Sequence, residues 1–520
     1  MNNRMIRIGD NPFSIHDVAR LAVGSRSIEL SHAAKARVVA SRRIVERYVE
    51  GDEPIYGLNT GLGGNIGHRI DRAAMAAFQT QLLRGRAVGI GPPLPETVCR
   101  AVLLARITAA STGGTGLSEG ALDQLVALFS RGVTPAIPAR GSISAADLSL
   151  GAHLGLVVIG RGEAWFGGRL MPGGEALAQA GLVPATLEPK DGLALCSHSA
   201  ASAGLAAVTL STVTGLLLTA AAVAALSFEA YGANPRIFDP RVAAARPAAG
   251  QADAATLFRH RLAGSPLYEH PRSVQDALSF RCLAPVFGSA LAALAAARRE
   301  AEIEINHAGD NPLVLLDDGV IVPTPNFHTP ALAVACDALA IALAQLAAAG
   351  GQRVVKLMNP VLSGLPRFLS PVGGASAGFV TQQKTAAALC AEIRQAAMPA
   401  SLDAMPVSDS VEDHAPMTFL AIRKLAGQIE PLRLLVGLEA MVAAQAADLR
   451  EDGALSPRAA ALQALVRTLV PRLDEDRETG CDATAIADLL ARDDTVAALA
   501  GDLPDDDAVA APFRGLAHDD

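Results

Sequence analysis

The stretch GSISAADLSL, Gly141 to Leu150, carries two serines, two adjacent alanines and an aspartate at a helix-start position. It closes the turn-rich run TPAIPARGS and leads into the apolar segment GAHLGLVVIG, which raises the question of a reactive loop. Three other loops, YGLNTGLGGNIG, VGIGPPLP and STGGTGLSEG, are rich in glycine, the composition of a backbone that must approach something closely. Metal chemistry has no comparable seat. HAGD at 307–310 and the Glu-Asp-His run at 412–414 lack a closed ligand set at zinc spacing, so no metal is expected. The six cysteines (Cys99, Cys196, Cys282, Cys336, Cys390, Cys481) form no CxxC pair and read as free thiols in a reducing cytosol.

These loops need a scaffold, and the composition says which kind. Half of the 520 residues are hydrophobic but only 4% are aromatic, so the core must be built from Ala, Leu and Val in closely packed helices. A net charge of −8, with no Lys/Arg run longer than two, argues against a nucleic-acid partner. The N-terminal MNNRMIRIGDNPFSI has no uninterrupted apolar segment of the secretory kind, and a cytoplasmic location is expected. Residues 200–228 are apolar enough to mimic a membrane span. They contain Ser and Thr and lack basic flanks or an aromatic belt, so a core helix is the expected reading and no membrane is involved.

Up to about Gly192, short helices alternate with Gly/Pro loops. Beyond it, residues 284–304, 329–349, 381–399 and 416–450 repeat apolar positions at helical spacing. LVLLDDGVIVP at 313–323 reads as a hairpin closed by Asp-Gly, and RLMPGG as part of a strand. The chain is thus expected to be mainly α: a loop-rich part over 1–192, a long-helix bundle over 193–452, and an acidic helical tail over 453–520.

Nine ordered motifs carry a resemblance. They are YGLNTGLGG at 56–64, GVTPAIPARGS at 132–142, IGRGEAW at 159–165, EPKDGLAL at 188–195, SVQDALSFRC at 273–282, GDNPLV at 309–314, NFHTP at 326–330, LSGLPRFL at 362–369 and VEDH at 411–414. Together they resemble the histidine and aromatic amino-acid ammonia-lyases and aminomutases, from about residue 20 to about residue 455. The resemblance implies a helix-bundle homotetramer whose active sites draw on loops of several subunits. It also implies a built-in electrophile, methylidene-imidazolone, made from an internal Ala-Ser-Gly.

Carried over residue by residue, the resemblance implies that Tyr56 removes the β-hydrogen, within a loop that keeps Gly63. A tyrosine with an ordinary pKa near 10 can do this only where its surroundings stabilise the phenolate. It implies that Arg281, with Gln275 in the same loop, binds the substrate carboxylate through its planar fork; a salt bridge to Asp276 or Glu302 is the structural alternative. Asn311 would sit near the electrophile or simply punctuate an Asn-Pro turn. Phe327 would line the pocket or the core, and Glu412 would act as an acid or cap a helix.

The departures are Arg86 where the family has a substrate-selecting histidine, Ser197 beside His198 where it has asparagine, Leu278 for a tyrosine and Ser118 for an arginine. At the electrophile, Ser144, Ala145 and Ala146 precede Asp147, and no Ser-Gly pair exists. Alanine's Cβ crowds the conformation that glycine permits, so the electrophile is expected to be absent, with no cofactor in its place. The function expected on that basis is an electrophile-free enzyme. With Tyr56 as base and His198 as the next candidate, it would catalyse elimination, addition, isomerisation or cyclisation on an activated, anionic small molecule held by Arg281 and Arg86. Two alternatives stay open: a silent homologue acting as a binding subunit, and a genuine ammonia-lyase or aminomutase with an atypical electrophile.

Overall fold

Alanine and leucine dominate the longest helices, and their small side chains allow close approach of backbones. In the computed structural model, which describes residues 5–516 apart from 25, 403–404, 451–452, 454 and 505, the fold is mainly α. The helix Glu96–Ala110 is buried along nearly its whole length. The helix Ala200–Tyr231 crosses it at Gly204, where an added Cβ would lie 2.4 Å from the Val102 nitrogen. Glycine there lets two helices touch backbone to backbone. Helix ends follow local chemistry. Ser14 and Asp17 form a reciprocal capping box, and Ser118 caps Glu119–Arg131, which ends at Gly132 with φ +74°.

Strands are short. The hairpin Leu313–Leu315 with Val320–Val322 turns at Gly319, which adopts φ +66°, as the Asp-Gly signal predicts. Arg169–Pro172 pairs antiparallel with Glu163–Phe166, which also pairs with Thr134–Pro135. Ile90–Pro93 pairs antiparallel with Pro138–Arg140 and brings the chain into the Gly141–Leu150 stretch.

Two compact units result. One comprises Met1–Ser211, Arg298–Val334 and Pro399–Arg423; the other comprises Thr212–Ala297, Ala335–Met398 and Lys424–Asp520. In the second unit a buried bidentate pair, Arg353 with Glu439, joins two helices at 2.6 and 2.9 Å, and the Ser227 hydroxyl donates to the same carboxylate at 2.8 Å. Among the described residues, two helical stretches, Asp191–Tyr231 and Pro330–Leu357, are long and apolar enough to cross a membrane. Their most apolar windows are 78% and 56% buried within the protein, as core helices are.

Candidate functional site

The Gly141–Leu150 stretch forms a tight, strained turn. Ser144 and Ala146 adopt φ +61° and +56°, left-handed conformations that side chains disfavour by about 1–3 kcal/mol each. A buried carboxylate organises the turn. Asp147 accepts from the Ser142 hydroxyl at 2.7 Å, the Ser144 hydroxyl at 3.2 Å and the Ser202 amide at 2.7 Å. Burial pushes the Asp147 carboxyl above the usual carboxylate range, and these hydrogen bonds pull it back. From the other side, the Phe419 amide donates to Ser144 Oγ at 2.9 Å and the Met417 amide donates to the Ile143 carbonyl at 3.2 Å. The single serine hydroxyl of the turn's apex is therefore held between an acid and a helix-start amide, and the carbonyl before it is polarised by a second amide.

Tyr56 is fixed by its own glycine loop. Its hydroxyl accepts from the amide of Gly63, which has φ +56°. Asn59 closes the turn by accepting from the Ile55 amide at 2.7 Å and donating to the Glu53 carbonyl at 2.8 Å. Gln79, buried, donates to the Gly57 carbonyl at 3.2 Å and accepts from the Leu193 amide at 3.1 Å, tying the Tyr56 loop to the Asp191–Cys196 helix. That helix leads to Ser197, which is buried and whose amide donates to Leu193 O at 2.8 Å. His198 spends both ring nitrogens on backbone. Nδ1 accepts from the Ala200 amide at 3.1 Å, so Nε2–H faces the Leu195 carbonyl at 3.0 Å. Burial holds its pKa well below the usual histidine range, so the ring is neutral and shapes the loop. Arg86 ends the helix Met75–Arg86 and, among the described residues, forms no ion pair, with Glu412 or any other acid.

A second buried cluster orders the GDNP loop. Arg106 and Asp310, 0% and 1% exposed, pair at 3.1 and 2.9 Å, and Arg106 also donates to the Ala194 carbonyl at 2.5 Å. Asn311 Oδ1 accepts from the Thr324 amide at 3.0 Å, so its side chain carries out the turn-closing task. Lys190, fully buried, donates to the Thr115 carbonyl at 2.5 Å, and burial pulls its ammonium down to about 8. Phe327 meets His328 edge-on at 6.2 Å, His328 bridges backbone to Ala145, and its Nε2 lies 2.8 Å from Nδ1 of His414. Glu412 pairs backbone to backbone with Val407, two residues before His414. Glu304 accepts from the Ser199 hydroxyl at 2.5 Å, and burial pushes its carboxyl up to about 7.

All these residues belong to the first unit. Gln275, Leu278 and Arg281 belong to the second. There Arg281 donates to Gln275 Oε1 at 2.9 Å and, among the described residues, forms no ion pair. Asp276 instead accepts from Asn234 and Ser273, and Glu302 pairs with Arg298. Leu278 is 67% exposed. Gln79, Arg106 and Glu304 had no signal in the sequence, and Asp310 and Lys190 stood only as members of the GDNPLV and EPKDGLAL motifs, because each acts through a partner far along the chain.

Comparison with known proteins adds what geometry alone does not give. Residues 13–468 match the family model described as aromatic amino acid lyase. The histidine ammonia-lyase of Anaeromyxobacter sp. (strain K) is 40% identical over 490 residues, covering 92% of this chain and 96% of that protein. That of Myxococcus xanthus is 38% identical, covering 96% and 99%. Among solved structures, the ergothioneine-degrading ergothionase of Treponema denticola superposes with a TM-score of 0.89 at 33% identity, covering 94% of this chain and 98% of that one.

Two expectations are thereby corrected. Full-length similarity to histidine ammonia-lyases overturns the electrophile-free enzyme acting on an activated anionic molecule, and with it the expected absence of the electrophile. The physical step that misled was the demand for glycine. Ser144 and Ala146, on either side of Ala145, occupy the left-handed region without it, in a turn tied at Ile143 and Ser144 to Met417, Asp147 and Phe419.

Proposed function

Since the chain belongs to the aromatic amino acid lyase family, we propose that it is an ammonia-lyase that removes ammonia from a small α-amino acid bearing an acidic side group. The observation that carries the deamination is the 40% identity to a histidine ammonia-lyase over 92% of the chain. The acidic side group follows from Arg86, a cation without an ion-pair partner among the described residues at the position where the family keeps a substrate-selecting histidine.

The turn at Ser144 fits the internal electrophile in two respects. It supplies one serine hydroxyl seated on an acid, and a strained backbone whose preceding carbonyl is already polarised. Its nitrogen donor would be that of Ala145, in place of a glycine. The group, formed at Ser144, would supply an electrophilic carbon that makes the amino acid's β-hydrogen removable.

The chain's own residues do the rest. The Gly63 amide donates to the Tyr56 oxygen and fixes its place in the loop, and Tyr56 is the base that takes the β-hydrogen. Arg281, steadied by Gln275, offers its fork to the carboxylate. Gln79 and the neutral His198 keep the Tyr56 and Ser197 loops rigid. The working enzyme is a cytoplasmic homotetramer whose sites draw on more than one subunit.

Incubating the purified protein with L-histidine, L-phenylalanine and α-amino acids with acidic side groups tests the reading. Ammonia release with a matching rise in ultraviolet absorbance is expected from an acid-bearing member. Release from L-histidine alone would leave the lyase and remove the role given to Arg86.

A further inference from the structure

Three short segments of the first unit meet at the Ser144 turn, and two histidines that take no part in the proposed reaction join two of them. His328 pairs backbone to backbone with Ala145. The 414–419 segment supplies the Met417 and Phe419 amides, which donate to the Ile143 carbonyl at 3.2 Å and to Ser144 Oγ at 2.9 Å. Met417 does so from φ +53°, a left-handed conformation that its surroundings must hold.

Two side-chain contacts tie this segment to His328 and Thr329, one on each side of Met417 in the chain. The hydroxyls of Thr329 and Thr418, both buried, meet at 2.8 Å, and that of Thr418 donates to the Thr329 carbonyl at 3.1 Å. The second contact sets Nε2 of the half-buried His328 2.8 Å from Nδ1 of the exposed His414.

Two ring nitrogens at this distance need one proton between them. A neutral pair has it, and a singly protonated pair keeps it. With both rings protonated, two N–H groups face each other and the bond becomes a repulsion. Burial, and then the neighbouring His414, hold the His328 pKa below the usual histidine range. Among the described residues no acid forms an ion pair with either ring, Glu412 and Asp413 of the same segment included.

We propose that His328 and His414 are positioning residues of the lyase. Their hydrogen bond clasps the 414–419 segment onto the Ser144 turn, so that the Met417 and Phe419 amides stay on Ile143 and Ser144, and it opens when acid puts a proton on both rings. The inference rests on the lyase reading for the chemistry of the turn, but the clasp itself is measurable without turnover.

Hydrogen exchange of peptides covering 141–147 and 414–421, read by mass spectrometry on the full-length protein, makes that measurement. His414→Ala and His328→Ala should each speed exchange there by about five- to tenfold, the loss of one hydrogen bond, and the double variant should add little to either. His414→Asn places an amide that does not titrate where Nδ1 stands. It should match the parent at neutral pH and stay protected at about pH 4, where the parent loses protection. His328→Gln, whose amide reaches the place of Nε2, repeats this rescue should an alanine variant fail to fold by circular dichroism. With an amino acid that the parent deaminates, the alanine variants should lower kcat while KM stays within about twofold, and His414→Asn should move the acid limb of kcat to lower pH. A parent that releases no ammonia would remove the lyase reading and leave the clasp to the exchange data. Exchange in His414→Ala equal to the parent's, losses that multiply in the double variant, or acid sensitivity unchanged in His414→Asn would each overturn the proposal.

Discussion

Replacing Asp310 with Asn removes a charge and changes almost no volume. In the folded chain, Asp310 faces Arg106, 0% exposed, through two hydrogen bonds, and among the described residues Arg106 keeps only the Ala194 carbonyl as a further acceptor. The variant therefore leaves a buried guanidinium without its counter-ion, a change that costs about 3–5 kcal/mol. The amide oxygen still accepts one hydrogen bond, which places the expected loss near 3 kcal/mol. A cooperative unit of roughly 270 residues carries an unfolding entropy of roughly 0.6 kcal/mol/K, so the melting midpoint should fall by roughly 5 °C. The chain's one tryptophan, Trp165, lies in the same unit, and its fluorescence at fixed protein concentration follows that transition. Arg106→Met combined with Asp310→Leu should lose less than Asp310→Asn alone, because the buried guanidinium goes together with its counter-ion. A midpoint for Asp310→Asn within about 1 °C of the parent, or a double variant that melts lower still, would refute the reasoning.

Tyr56→Phe should lower turnover by about 10²–10⁴ while leaving the far-ultraviolet spectrum and assembly unchanged; steady-state rates and light scattering check both. Ser144→Ala should abolish ammonia release. Intact-mass measurement should find the parent chain lighter than its sequence by the water lost in ring closure and dehydration, and Ser144→Ala at its sequence mass; equal agreement of both with their sequences refutes Ser144 as the seat. Glu304 is half-buried and holds its proton up to about 7, against 4.5 in the unfolded chain. Between those values the folded state binds more protons, so stability falls as pH rises through the window. Glu304→Gln should match the parent below pH 4.5 and exceed it by about 1–2 kcal/mol above pH 7, read from denaturant midpoints.

Much of the scaffold was legible locally. Ala- and Leu-rich repeats at helical spacing became buried helices, and Asp-Gly at 317–319 made the hairpin turn. The ordered loop motifs were equally legible, because each is a short run whose glycines and polar residues act on their neighbours, as Asn59 does on Ile55. What joins the loops was not. Gln79 reaches Leu193 across 114 residues, Arg106 reaches Asp310 across 204, and Ser199 reaches Glu304 across 105, and no periodicity marks such pairs. The electrophile turn misled for a different reason. Propensity at Ser144 and Ala146 favours a right-handed or extended backbone, and hydrogen bonds from Met417 and Phe419 override it from a segment more than 270 residues away.

In an ammonia-lyase reaction a β-hydrogen and ammonia leave one amino acid together. Proton NMR of the purified protein with an acid-bearing α-amino acid follows both fates in one sample. Vinylic signals of an unsaturated acid should grow in equal amount with ammonium, and neither should grow with Tyr56→Phe. An amino acid recovered intact, with no vinylic signal and no ammonium after prolonged incubation across the whole substrate panel, would contradict it.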